Sequence, residues 1–151
     1  MPALDPGSPF PDFDLRDQDC EPHSRDSLLG RPYVVFFYPK DDTPGCTVEA
    51  CEFRDLSQGD AGLPVFGVSP DSVKSHSKFA GKFGLTFRLL ADEGHALAEA
   101  CGIWVEKSLY GKKYMGVART TFLVGADGVV ERVWEKVEPK GHAAEVMSAA
   151  G

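Results

Sequence analysis

The segment Tyr33-Val34-Val35-Phe36-Phe37-Tyr38 is an unbroken apolar run of aromatic and β-branched residues between Pro32 and Pro39. Such a run suits a strand buried on both faces, at the centre of a sheet. Val65-Phe66-Gly67-Val68 reads the same way, and Thr86-Phe87-Arg88-Leu89-Leu90 is a shorter third candidate. Thr120-Thr121-Phe122-Leu123-Val124 and Val129-Val130-Glu131-Arg132-Val133-Trp134 flank Ala126-Asp127-Gly128. The Asp-Gly pair predicts that these two strands are antiparallel neighbours. Helical patterns fall between the strands at roughly 43–55, 71–83 and 94–101, with a last helix after Pro139. Strands alternating with helices, closed by a hairpin and a helix, predict an α/β protein with a central mixed β-sheet flanked by helices.

Composition narrows the class. At 151 residues and 42% hydrophobic content, residues 1–151 are expected to form one domain around one core. A net charge of -7 and a pI near 5.0 argue against nucleic acid as a partner, because sequence-independent affinity for phosphate needs a basic surface. The start of the chain, Met1-Pro2-Ala3-Leu4-Asp5-Pro6-Gly7, has neither a basic n-region nor an apolar h-region, and no later run is long enough to span a bilayer. The expectation is a cytoplasmic protein with no membrane contact. His23, His76, His95 and His142 lack paired spacing and are expected to be solvated, without a preformed zinc site. Phe36, Phe37 and Phe122 read as sheet core.

The four cysteines, at 20, 46, 51 and 101, do not make the dense framework of a small secreted domain. Function better explains the close pair. Tyr38-Pro39-Lys40-Asp41-Asp42-Thr43-Pro44-Gly45-Cys46 joins the first buried strand to a helix, and α/β proteins place reactive groups at such strand ends. Thr43 followed by Pro44 reads as an N-cap and a first helical residue, since Thr can accept from a free amide and Pro has none to leave unsatisfied. Cys46 then falls in the first turn, where free amides and the helix dipole favour a negative sulfur, the nucleophilic form. The alternative is an inert, packed core thiol. If Cys46 and Cys51 share one helix, their Cα atoms stand roughly 8.7 Å apart, beyond the ~7 Å a disulfide spans. Joining them requires the first turns of that helix to unwind.

Pro39-x-x-x-Thr43-x-x-Cys46 resembles the active-site signature of the peroxiredoxins, and Cys51 five residues on is similar to the bacterioferritin comigratory protein, or Q-type, subgroup. Pro11-Asp12-Phe13-Asp14-Leu15, Phe66-Gly67-Val68-Ser69 and Gly102-Ile103-Trp104 extend the resemblance over nearly the whole chain. It implies a thioredoxin-like fold and a thiol peroxidase, with Cys46 attacking the terminal peroxide oxygen. It assigns Thr43 and Arg119 to orienting thiolate and peroxide, and Pro39 to shielding the pocket. Arg119 can supply a permanent positive charge, and the Thr43 hydroxyl and first-turn amides can donate to a developing oxyanion. Cys51 would condense with the Cys46 sulfenic acid, and thioredoxin or a similar dithiol would reduce the bond, with no cofactor. The subgroup resemblance also implies a monomer.

Other residues read differently. Cys20 stands where the resembling family has a Gly turn, and is taken as an incidental exposed thiol ahead of an alternative resolving partner. Cys101 reads as a core or semi-buried thiol. Glu49, one turn after Cys46, is expected to be an exposed helix carboxylate outside the catalytic set. The Gly-rich stretch from Leu56 to Gly62 predicts an early end to the active-site helix. Two rival functions stay open: a thiol–disulfide oxidoreductase, which lacks the expected Cys-x-x-Cys, and a non-catalytic chaperone or redox switch.

Overall fold

The computed structural model describes residues 4–57, 63–135 and 137–150, and its central sheet has five strands among them. β3 (Tyr33–Phe37) lies in the middle, pairing in parallel with β4 (Val65–Ser69) and antiparallel with β8 (Thr120–Val124). β5 (Arg88–Ala91) adds in parallel beyond β4, and β9 (Val130–Trp134) pairs antiparallel with β8, as the Asp-Gly turn predicts. The direction of the sheet is therefore mixed.

The unbroken apolar run of β3 has a structural reason. Tyr33, Val35 and Phe37 enter one core cluster, with Phe10, Phe66, Phe122 and Ile103. Val34, Phe36 and Tyr38 enter a second on the opposite face, with Cys46, Phe53, Phe79 and Val146. A strand with apolar layers on both faces has no polar side to alternate.

Three helices cover the second face: α1 (Pro44–Ser57), α2 (Val73–Phe83) and α4 (Pro139–Ala150). Phe53 of α1 stacks on Phe36 at 4.6 Å, so α1 is held to the sheet by burial of large aromatic area, worth about 1.5–3 kcal/mol for such a side chain. α2 starts with Ser72 accepting from the Ser75 amide and stops at Gly84, left-handed at φ 62°. α4 leaves the helical path at Lys140 and Gly141 before continuing. The short α3 (Ala96–Ala100) packs Leu97 and Ala98 into the first cluster.

Two hairpins lie outside the pattern read from the sequence: β1 (Asp14–Arg16) with β2 (Pro22–Ser24), and β6 (Trp104–Leu109) with β7 (Lys112–Val117). The second turns through Tyr110 and Gly111, both at positive φ. Of the Gly-rich stretch, Gln58 to Gly62 lie outside the described residues; α1 itself runs to Ser57. No helix among the described residues is long and apolar enough to cross a membrane.

Candidate active site

Thr43 begins α1 as its sequence predicts: its carbonyl accepts the first helical bond, from the Thr47 amide, at 2.8 Å. Its hydroxyl donates to the Lys40 carbonyl at 3.0 Å, bracing the loop that carries Pro39. Cys46 therefore sits in the first turn, and its side chain is almost fully buried, at 1% exposure. Burial alone would suit an inert thiol. Arg119, immediately before β8, weighs against that reading by placing one guanidinium nitrogen 3.2 Å from the Cys46 sulfur.

The other guanidinium nitrogen donates to Glu49 Oε1 at 2.8 Å. The expectation of an exposed Glu49 is thus wrong: its side chain has 0% exposure, and among the described residues its second oxygen has no hydrogen-bond partner. Three residues along a helix from Cys46 is the same face one turn on, so whatever buries Cys46 also buries Glu49. That spacing was the available signal. Burial pushes the Glu49 carboxyl up to about 7, although Arg119 pulls in the opposite direction. Arg119 is held above its ordinary value by the Cys46 sulfur and Glu49, against the effect of burial.

Gly45 explains how the guanidinium comes so close. A Cβ there would stand 3.3 Å from Arg119 Nη2 and 3.3 Å from Pro139 Cγ, so a side chain would crowd the cation away from the sulfur. α4 closes the site from that side, with the Gly141 amide donating to Glu52 Oε1 at 2.8 Å and His142 bonded to Thr121 Oγ1 at 2.7 Å.

The loop from Pro39 to Thr43 is clamped from below. The Asp41 carboxylate meets the Tyr38 hydroxyl at 2.6 Å, the Ser75 hydroxyl at 2.8 Å and His76 Nδ1 at 2.7 Å. The other ring nitrogen of His76 reaches the Leu90 carbonyl at 2.9 Å, and the Asp41 amide donates to Asp71 at 2.8 Å. Burial, reinforced by Asp41, pushes the Tyr38 phenol up. His76 is fully buried and His142 is 4% exposed, which corrects the expectation of solvated histidines. Scattered spacing concealed that each has a polar partner distant in sequence. Asp41, Asp71 and His76 bring ligand-type atoms within 4.8 Å of one another, but protein hydrogen bonds engage all three.

Cys51 lies on the same unbroken helix as Cys46, half-buried, and both thiols are free. Their Cα atoms are therefore roughly 8.7 Å apart by helix geometry, and no bond can form without unwinding. Cys20 is exposed and left-handed, at φ 64°, which is the conformation a Gly turn supplies. Cys101 is fully buried, and burial pushes its thiol far up.

A family model described as the AhpC/TSA family matches residues 6–133. The chain belongs to that family. Within the AhpC/TSA family it is 48% identical to a putative peroxiredoxin Bcp of Coxiella burnetii over 147 residues, covering 96% of this chain and 97% of that protein. It is 44% identical to peroxiredoxin Bcp of Bacillus subtilis, with 96% and 94% covered. Among solved structures, a PrxQ variant of Xylella fastidiosa superposes with TM-score 0.92 at 32% identity, covering 99% of this chain and 97% of that one. A bacterioferritin comigratory protein of Xanthomonas campestris gives TM-score 0.88 at 38% identity, with 96% of each chain covered. The thioredoxin-like fold and the peroxiredoxin resemblance expected from sequence are both borne out.

Proposed function

We propose that this single-domain chain reduces hydroperoxides by nucleophilic attack of Cys46. The contact of 3.2 Å between Arg119 and the Cys46 sulfur, at the first turn of α1, is the observation that carries the reading. The fixed cation and the positive end of the helix face the sulfur, where they favour the charge distribution of its attack on peroxide. An electron pair from sulfur forms the S–O bond with the terminal peroxide oxygen, and the O–O bond breaks. The HO group stays on sulfur as sulfenic acid, and the second oxygen leaves with the pair as hydroxide or alkoxide and takes a proton from water. Arg119 and the first-turn amides face the charge as it moves, while Pro39 shields the pocket. Thr43 joins them once its hydroxyl turns from Lys40.

Cys51 then attacks the Cys46 sulfenic acid, forming the disulfide and releasing water. An external dithiol, thioredoxin or a protein of that kind, reverses it by exchange. The chain works as a monomer in the cytoplasm. The Xanthomonas relative is described in terms of alkyl peroxide reduction, which supports including organic hydroperoxides among the substrates. The test is stopped-flow oxidation of reduced protein by hydrogen peroxide and cumene hydroperoxide, with mass spectrometry of wild type, Cys46→Ser and Cys51→Ser. Fast oxidation that requires Cys46, leaving a sulfenic acid when Cys51 is absent, is expected. Slow oxidation indifferent to Cys46 would return the disulfide-reductase and switch readings to the front.

A further inference from the structure

Between β9 and the regular part of α4, residues 137–141 cross the active-site helix as a strap. The sheet fixes this strap at two points. At one end the Val137 amide donates to the carbonyl of Arg119, the residue before β8, at 3.2 Å. At the other, the buried His142 is bonded to Thr121 Oγ1 of β8 at 2.7 Å, with its ring edge-on to Phe53 and Trp134.

Between those points the strap grips α1 twice. Pro139 Cγ stands 3.3 Å from where a Cβ on Gly45 would be, and the Gly141 amide donates to Glu52 Oε1 at 2.8 Å. Lys140 and Gly141 leave the helical path to make this crossing, and Gly141 takes φ 84°, where glycine is unstrained. Gly45 adjoins Cys46, and Glu52 adjoins Cys51. One strap thus holds the residue beside each cysteine.

That placement bears on the second half of the reaction. The two Cα atoms must close from roughly 8.7 Å to below ~7 Å for a disulfide, so α1 has to give way or slip a grip. The Cys46 end is held inside the protein, with Arg119 on the sulfur; the Gly141–Glu52 bond is exposed and is the easier grip to release. Until α1 yields, another hydroperoxide can transfer its terminal oxygen to the sulfenic acid, giving sulfinic acid and leaving as water or alcohol. Closure and overoxidation compete for one intermediate.

We propose that the 137–141 strap, through the Gly141–Glu52 bond, governs how fast Cys51 reaches oxidised Cys46, and so how much peroxide the protein tolerates. Glu52 is a positioning residue: it restrains α1 and takes no part in the attack on peroxide. The proposal rests on the Cys46–Cys51 disulfide proposed above.

Glu52→Ala removes the acceptor; Glu52→Gln removes the charge and keeps an acceptor for the Gly141 amide. In a Cys20→Ser background, stopped flow gives the rate of Cys46 oxidation by hydrogen peroxide, and acid quench with mass spectrometry gives the rate of disulfide formation. A third reading is the peroxide concentration that converts half the protein to sulfinic acid during turnover with dithiothreitol. Glu52→Ala is expected to close the disulfide about threefold to tenfold faster, the weight of one hydrogen bond, and to raise that concentration by the same factor. Its first step should stay at the parent rate, and Glu52→Gln should match the parent in all three. An Ala variant that closes no faster would overturn the proposal. So would a Gln variant displaced as far as Ala, which would assign the effect to charge beside Cys51, or a first step altered as much as closure. A parent protein that forms no Cys46–Cys51 bond would remove the underlying reading and the proposal with it, whereas a bond formed equally fast in Glu52→Ala removes the proposal alone.

Discussion

Arg119 lies 73 positions from Cys46 in sequence, and its guanidinium is 3.2 Å from the cysteine sulfur. The same guanidinium answers the buried carboxylate of Glu49. One cation therefore serves the Cys46 sulfur and a buried acid together, and removing it disturbs both.

Arg119→Met is expected to slow peroxide oxidation of Cys46 by about 10²–10³, the usual consequence of losing a fixed charge at a reacting centre. It also leaves Glu49 buried without its partner, which lowers stability. Adding Glu49→Gln should recover much of that stability but not the rate. Urea unfolding and stopped-flow kinetics on the single and double variants separate the two effects.

The Glu49 carboxyl, raised from its ordinary 4.5 to about 7, gives a definite sign to the pH dependence of stability. In the unfolded chain it ionises first, so the stability tied to its neutral form is full below about 4.5 and lost as pH rises through 7. The loss is roughly 3 kcal/mol at most, since each unit is worth ~1.4 kcal/mol. Urea midpoints from pH 4.5 to 8 should decline in wild type and flatten in Glu49→Gln. Equal slopes would count against the buried carboxyl as the cause.

Gly45→Ala tests close approach without removing a charged group. Its new Cβ meets Arg119 Nη2 and Pro139 Cγ at 3.3 Å, so the guanidinium or α4 must shift. The peroxide rate should fall on the order of tenfold to a hundredfold, as a misplacement near 1 Å does, with the far-UV spectrum unchanged. An unaltered rate would mean that Arg119 has more freedom than its bonds imply.

The Asp41–His76 clamp predicts a loss of stability at a site remote from the sulfur. His76→Leu deletes a buried partner of the Asp41 carboxylate and should cost about 3 kcal/mol. For a chain of this length that lowers Tm by roughly 6–12 °C. Asp41→Asn/His76→Leu, with the charge removed as well, should lose less than the two single variants together, as calorimetry would show.

Much of this was legible in the sequence, for identifiable reasons. β3 and β8 announced themselves because strands buried on both faces cannot alternate, and the Asp-Gly pair fixed the β8–β9 turn. Pro44 and the pattern after it located α1, and hence the first-turn position of Cys46. The β6–β7 ribbon was missed because it is largely exposed and charged, with a Tyr at positive φ in its turn. Glu49 and His76 were misread because the groups that satisfy them arrive from other elements: Arg119 for one, Asp41 and Leu90 for the other.

Oxidation should loosen more than α1. If Cys46 and Cys51 join, exchange of amide hydrogens is expected to rise across residues 43–51 and also at Gly141, whose amide depends on Glu52 for its bond. Protection of Gly141 that is the same in reduced and oxidised protein would show that the unwinding stops short of Glu52.

If Cys46 and Cys51 form a disulfide, the helix that presents Cys46 also sets how strongly that bond oxidises its reductant. Because α1 must come apart for the bond to close, the free energy of folding its first turns enters the redox equilibrium with the sulfur chemistry. Each ~1.4 kcal/mol added to the intact helix raises the reduction potential of the pair by about 30 mV. Substitutions on the outer face of α1, far from either sulfur, thus become a dial for the driving force of recycling.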